Sequence, residues 1–125
     1  MTYDEMKEFL ESIGGLENGY FIDRPPITDP HFFGVKEGWY QLIKDLIVDL
    51  NEMGWDKQVM QVKEKFGGLR FYVDSHIEND DLHNRVFKAE KDSYKICEVC
   101  GEPGRIRNNG WYMTLCDTHK REGDD

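Results

Sequence analysis

Four residues near the C-terminal end constrain the fold more than any others: Cys97 and Cys100, then Cys116 and His119. Their spacing is C-x2-C, fifteen intervening residues, then C-x2-H. Two ligands three positions apart on a tight turn can share one ion, and three thiolates with one imidazole form a tetrahedral set that suits zinc. Gly101 follows the second cysteine, where glycine lets the chain turn with its amides facing the sulfurs. One Zn2+ per chain is therefore expected on Cys97, Cys100, Cys116 and His119. Four protein ligands leave no open position for water, so the expected role is structural, supplying folding energy to a segment too small to own a core.

The stretch between the ligand pairs reads as a hairpin. Arg105-Ile106-Arg107 and Trp111-Tyr112-Met113-Thr114-Leu115 flank Asn108-Asn109-Gly110, and Asn-Gly is among the strongest short hairpin signals. Cys116 then stands where a short terminal helix can begin, with His119 one turn along. Knuckle, hairpin and helix predict a treble-clef-like zinc module over residues 97–125.

Residues 1–96 read as an α+β domain. Thr2 and Glu5 match a capping box, and Met6, Phe9, Leu10 and Ile13 follow at helical spacing before Gly14-Gly15. A helix is expected over about residues 3–13. Residues 14–36 then form a long loop, rich in proline and carrying the aromatic pairs Tyr20-Phe21 and Phe32-Phe33, which are expected to anchor it. Trp39, Leu42, Ile43, Leu46, Ile47, Leu50 and Met53 make a stripe predicting a helix over about 37–53, with Gly54 as its stop. Residues 58–74 predict a hairpin turning at Gly67-Gly68, because Leu69, Phe71 and Val73 alternate with polar or exposed positions. A third helix is expected over about 79–94, capped by Asn79 or Asp80, with Leu82, Val86, Phe87 and Ala89 facing inward.

Charge narrows the function classes. The chain of 125 residues carries 16 basic and 25 acidic side chains, a formal net charge of −9. Residues 1–60 alone hold 12 acids and 5 bases. Such a balance opposes nonspecific nucleic-acid binding, which depends on lysine and arginine. The start, Met1-Thr2-Tyr3-Asp4-Glu5, is acidic with no apolar stretch behind it, and no segment approaches a membrane span. Three cysteines fit a disulfide framework badly, so the reducing cytoplasm is the expected compartment, with no membrane contact.

No nucleophile motif, phosphate loop or second metal set is present, and no enzymatic activity is expected. His31 near Asp29, and His83 near Asp80-Asp81, read as ordinary surface groups. A nucleic-acid interface would have to use Arg105 and Arg107, with Lys63, Lys65 and Arg70 on the other hairpin and Trp111 and Tyr112 beside them. The overall acidity disfavours it. A protein partner is favoured, with the acidic face Asp45, Asp49 and Glu52 and the module residues Arg105, Arg107 and Trp111 as candidate contacts.

The stretch Val62-Lys63-Glu64-Lys65-Phe66-Gly67-Gly68-Leu69-Arg70-Phe71-Tyr72, followed by Cys97-Glu98-Val99-Cys100-Gly101-Glu102-Pro103-Gly104 and Gly110-Trp111-Tyr112-Met113-Thr114-Leu115-Cys116-Asp117-Thr118-His119, resembles a group of small uncharacterised bacterial and phage proteins. The resemblance covers about residues 36–119. It brings no known activity; it implies an origin in mobile elements, and with it an expected role as inhibitor or regulator of a host or defence protein.

Overall fold

The computed structural model describes residues 1–124. Its elements are mixed, α+β, with three α-helices and three two-stranded sheets among the described residues. No described helix is long and apolar enough to cross a membrane.

Helix α1 spans Tyr3–Ser12. The Thr2 hydroxyl accepts from the Glu5 N–H at 3.2 Å, and the Glu5 carboxylate accepts from the Thr2 N–H at 3.3 Å. This reciprocal cap satisfies two N–H groups that the helix cannot. The buried face is Met6 and Leu10.

The loop that follows is pinned by a short strand, β1 (Glu17–Asn18), and by a bridge between Leu16 and Ile27. Only one of its aromatic pairs anchors it. Phe33 is buried and Phe32 packs against the core. Tyr20 and Phe21 are instead 65 % and 46 % exposed, and Ile22 beside them is 79 % exposed. The cause is a turn centred on Asn18, whose side-chain and main-chain oxygens accept the N–H groups of Tyr20 and Phe21. That turn throws the next residues outward.

A 3-10 turn, Glu37–Trp39, leads into α2 (Tyr40–Glu52). Trp39, Ile43, Leu46, Ile47 and Leu50 are fully buried, as the stripe predicts. Met53 is 40 % exposed, because it caps the helix and the chain turns away through Gly54 at φ +85°.

The strand expected from residue 58 breaks at Met60. Its first part, β2 (Gln58–Val59), pairs in parallel with β1; its second, β3 (Gln61–Lys65), pairs antiparallel with β4 (Gly68–Tyr72). Lys65 stands opposite Gly68, so the turn is Phe66-Gly67 and not Gly67-Gly68. Both turn residues have positive φ, 54° and 83°. Gly68 serves another purpose: a Cβ there would lie 2.4 Å from the Tyr94 ring. Close packing claims that glycine, and Phe66 takes the left-handed position at a cost on the order of 1 kcal/mol.

Helix α3 (Asp80–Ser93) is capped by the Asn79 side chain, which accepts from Leu82 N–H. Leu82, Val86 and Ala89 face the core, but Phe87 is 57 % exposed. One residue on from Val86 it has rotated about 100° off the buried stripe. Its ring lies under Lys91 Nζ at 5.0 Å. Helix α3 also completes the hairpin beneath it: Ser93 Oγ accepts from Leu69 N–H, and Glu90 accepts from Phe71 N–H. Burial raises the Glu90 pKa, and the Phe71 N–H and Arg70 partly offset this.

Candidate metal centre

The first ligand pair follows α3 almost directly. Cys97 N–H donates to Glu102 O at 2.8 Å and Gly101 N–H donates to Cys97 O at 2.9 Å, closing the knuckle with Gly101 at φ +84°. The chain then forms β5 (Arg105–Asn108) and β6 (Tyr112–Leu115), antiparallel, with Arg105 opposite Leu115. Trp111 was expected in the second strand; it sits in the connecting loop instead, 63 % exposed, with Arg121 stacked at 4.9 Å from its ring. After Cys116 the chain makes a turn, in which His119 N–H donates to Cys116 O. The short terminal helix expected there does not form within the described residues.

This hairpin returns Cys116 to the first pair. One donor atom from each of Cys97, Cys100, Cys116 and His119 lies within 4.8 Å of all the others, a group able to hold a metal ion. The Cys100 and Cys116 sulfurs are 3.7 Å apart, and His119 Nδ1 lies 3.8 Å from the Cys97 sulfur and 3.2 Å from that of Cys116. A tetrahedron with metal–sulfur bonds of about 2.3 Å and metal–nitrogen bonds of about 2.0 Å has edges of about 3.8 Å and 3.5 Å. The donors therefore fit one four-coordinate ion. Burial raises the Cys97 pKa, but backbone N–H groups of Cys116, Cys100 and Val99 outweigh it and bring the thiol down to about 7. At Cys100 the Glu102 N–H lowers the pKa, while burial and the Cys116 and Cys97 sulfurs prevail and raise it.

Charged side chains that look like surface residues build the support. Glu98, between the two knuckle cysteines, is 3 % exposed. Its carboxylate accepts from Thr114 N–H at 3.2 Å and pairs with Lys36 at 3.4 Å. Burial raises its pKa; the Thr114 N–H and Lys36 oppose this. Its main chain bonds both to Thr114 and to Gly38, so one residue ties the knuckle to β6 and to the turn before α2. Gly38 permits that approach, since a Cβ there would lie 2.2 Å from Cys97 O. Trp39 Nε1 donates to Ile96 O across the same seam.

Arg107 is also buried, with Nε donating to Leu115 O and Nη2 paired to Asp117 at 2.8 Å. Its guanidinium thus braces the second ligand pair, and it holds the Asp117 carboxyl below the usual range. Arg105 and Trp111 are exposed on the module. Asp45, Asp49 and Glu52 share one face of α2. Asp45 accepts from Gln41, and Asp49 is paired with Arg85 of α3 at 2.7 Å. The remaining histidines lie outside the metal group: His31 stacks on Tyr3, His76 meets Asp74, and His83 Nε2 lies 2.8 Å from Ile77 O.

No protein-family model matches the chain, and neither a curated protein nor a solved structure does.

Proposed function

We propose that this is a non-enzymatic cytoplasmic protein, built around one structural zinc held by a knuckle, a hairpin and a C-terminal turn, that acts by binding a protein partner. The observation that carries the metal reading is the closed Cys97–Cys100–Cys116–His119 donor set. Soft thiolates with one imidazole, at tetrahedral edge lengths, favour zinc over hard cations that prefer oxygen. A filled set supplies cohesion and leaves no position for substrate. The partner reading is supported by the Tyr20-Phe21-Ile22 turn, three adjacent large apolar side chains held in solvent. Such residues mark interaction surfaces when they cluster. Glu17 and Asp23 lie beside them in sequence and the Arg24 guanidinium sits 4.3 Å from the Phe21 ring, so the surrounding charge is mixed and a partner with an apolar recess is the complementary shape. Inhibition or regulation from a mobile element is the role that the resemblance of the two motifs adds.

The test has two arms. Elemental analysis of protein purified without chelator is expected to return one zinc per chain; zinc-free, folded protein sinks the metal reading. Capture from host extract, compared between the wild type and Tyr20→Ser with Ile22→Ser, is expected to lose one specific protein. An unchanged capture profile removes this turn as the contact.

A further inference from the structure

Alternation in the β3–β4 hairpin sends Val62, Leu69 and Phe71 into the core. It sends Lys63, Lys65, Arg70 and Tyr72 to the other face. Lys63 stands directly opposite Arg70. Like charges facing each other across a ribbon oppose the pairing, although Arg70 also bonds the Leu69 carbonyl and the Tyr94 hydroxyl. Glu64 alternates to the inner side and accepts from Gly67 N–H at 2.7 Å, leaving the outer face of the two strands without a carboxylate.

Flat rings interleave with these cations. Lys63 Nζ lies 5.8 Å from the Tyr72 ring and Lys65 Nζ 5.5 Å from the Phe66 ring. The Tyr94 ring covers Gly68, and its hydroxyl accepts from Arg70 at 3.2 Å. Phe66, in the turn that the packing of Gly68 against Tyr94 sets, is 63 % exposed, so its ring lies open to solvent beside Lys65. Beyond Tyr72 the face opens into a cleft of about 530 Å³ between β4 and α3, walled by Tyr72, Val86 and Phe87 with Arg70 at its edge. Glu90 also lines this cleft, but it is half-buried and its carboxylate is committed to Phe71 N–H.

We infer that the outer face of the β3–β4 hairpin, continued into this cleft, is a binding site for single-stranded nucleic acid. Cations in a row meet successive phosphates, and exposed rings between them stack with bases, which a single strand presents and a duplex hides. A run of aspartate or glutamate matches the charge but carries no aromatic ring to stack on these. The net charge of −9 does not forbid the site, because at physiological salt charges beyond about 8 Å are screened.

The experiment titrates the full, metal-loaded chain into a labelled oligothymidylate of about 15 nucleotides, a length within the span of known single-strand sites. With three phosphate contacts, affinity is expected to fall about 20-fold between about 50 mM and 200 mM salt. Lys63→Gln with Lys65→Gln is expected to leave about one third of that salt slope. Phe66→Gly places glycine where φ is positive, so its melting temperature should match or exceed that of the wild type while its affinity falls about tenfold. This variant separates binding from folding. No binding at about 50 mM salt overturns the assignment, as does binding that both variants leave unchanged. Equal affinity for an oligoglutamate also overturns it, making the face an acidic-peptide site, and so does preference for the duplex.

Discussion

The helical body and the cysteine–histidine module differ in what holds them. Among the described residues, the body buries eighteen hydrophobic side chains in one cluster running from Met6 to Ala89. The module's own cluster is Cys97, Leu115 and Cys116, packed by Val99 and Met113, and two of its three buried members belong to the candidate metal group. At about 25 cal/mol per Å2 of apolar surface, a cluster of that size cannot offset the entropy of ordering the 28 described residues from 97 to 124. The body is held by its apolar core; on the zinc reading proposed above, the module relies on a metal ion and a polar frame. The frame includes two buried charges, Glu98 and Arg107, each tolerated because it is hydrogen-bonded to a solvent-exposed partner, Lys36 and Asp117 respectively.

The sharpest way to break this comparison is a reciprocal pair of variants. Cys116→Ser, or chelation of the wild type, should unfold residues 97–124 while leaving α1 to α3 folded, since a structural zinc site contributes on the order of 10 kcal/mol. Leu46→Ala should cost about 2–5 kcal/mol in the body and leave metal stoichiometry unchanged in the folded fraction. Amide exchange read residue by residue, with elemental analysis, checks both. If chelation melts body and module together, the two regions are one cooperative unit and the comparison fails.

A smaller effect probes the seam. Gly38→Ala drives a methyl group toward Cys97 O, and the knuckle must move. We expect a loss of about 1–3 kcal/mol, with amides near Trp39 and near Cys97 perturbed together.

How far the sequence foretold this structure depends on how local each signal is. Each ligand pair, the Thr2–Glu5 cap and the α2 stripe are local signals, and all reappear in the structure. Gly67-Gly68 is the better turn sequence in isolation, but Tyr94, far along the chain, takes Gly68, so the turn falls at Phe66-Gly67. Ser93 and Glu90 gave no signal of their role, because their partners are 24 and 19 residues away. Glu98 and Arg107 read as surface residues by type, and only the folded module shows why burying them is affordable in free energy. Phe87 reads as core by type, yet it falls off the buried stripe of α3.

The smallest expected effect lies at the far edge of the body. The Tyr3 hydroxyl donates to Asp29 at 2.6 Å, and this bond pushes the phenol pKa up to about 12. The same hydroxyl, with the His31 N–H, holds the Asp29 carboxyl below the usual range. A raised folded-state pKa gives stability that is complete below pH 10, the ordinary tyrosine value, and lost as pH rises toward 12. The lowered Asp29 value gives stability present above the ordinary carboxylate range and lost as acid protonates it. Tyr3→Phe should therefore lower the melting temperature slightly at neutral pH and flatten its decline between pH 10 and 12, as thermal melts in a pH series will show. Because neither residue belongs to the candidate metal group, metal content should not respond.

The bonds from Ser93 and Glu90 to the N–H groups of Leu69 and Phe71 reach beyond the hairpin they complete. A ribbon of two strands ordinarily leaves open donors along its border, a template on which another chain can add a strand and seed aggregation. Here two of those donors on β4 already have acceptors supplied by α3. The helix thus works as a stopper as well as a packing partner, and the ribbon is discouraged from growing along that side.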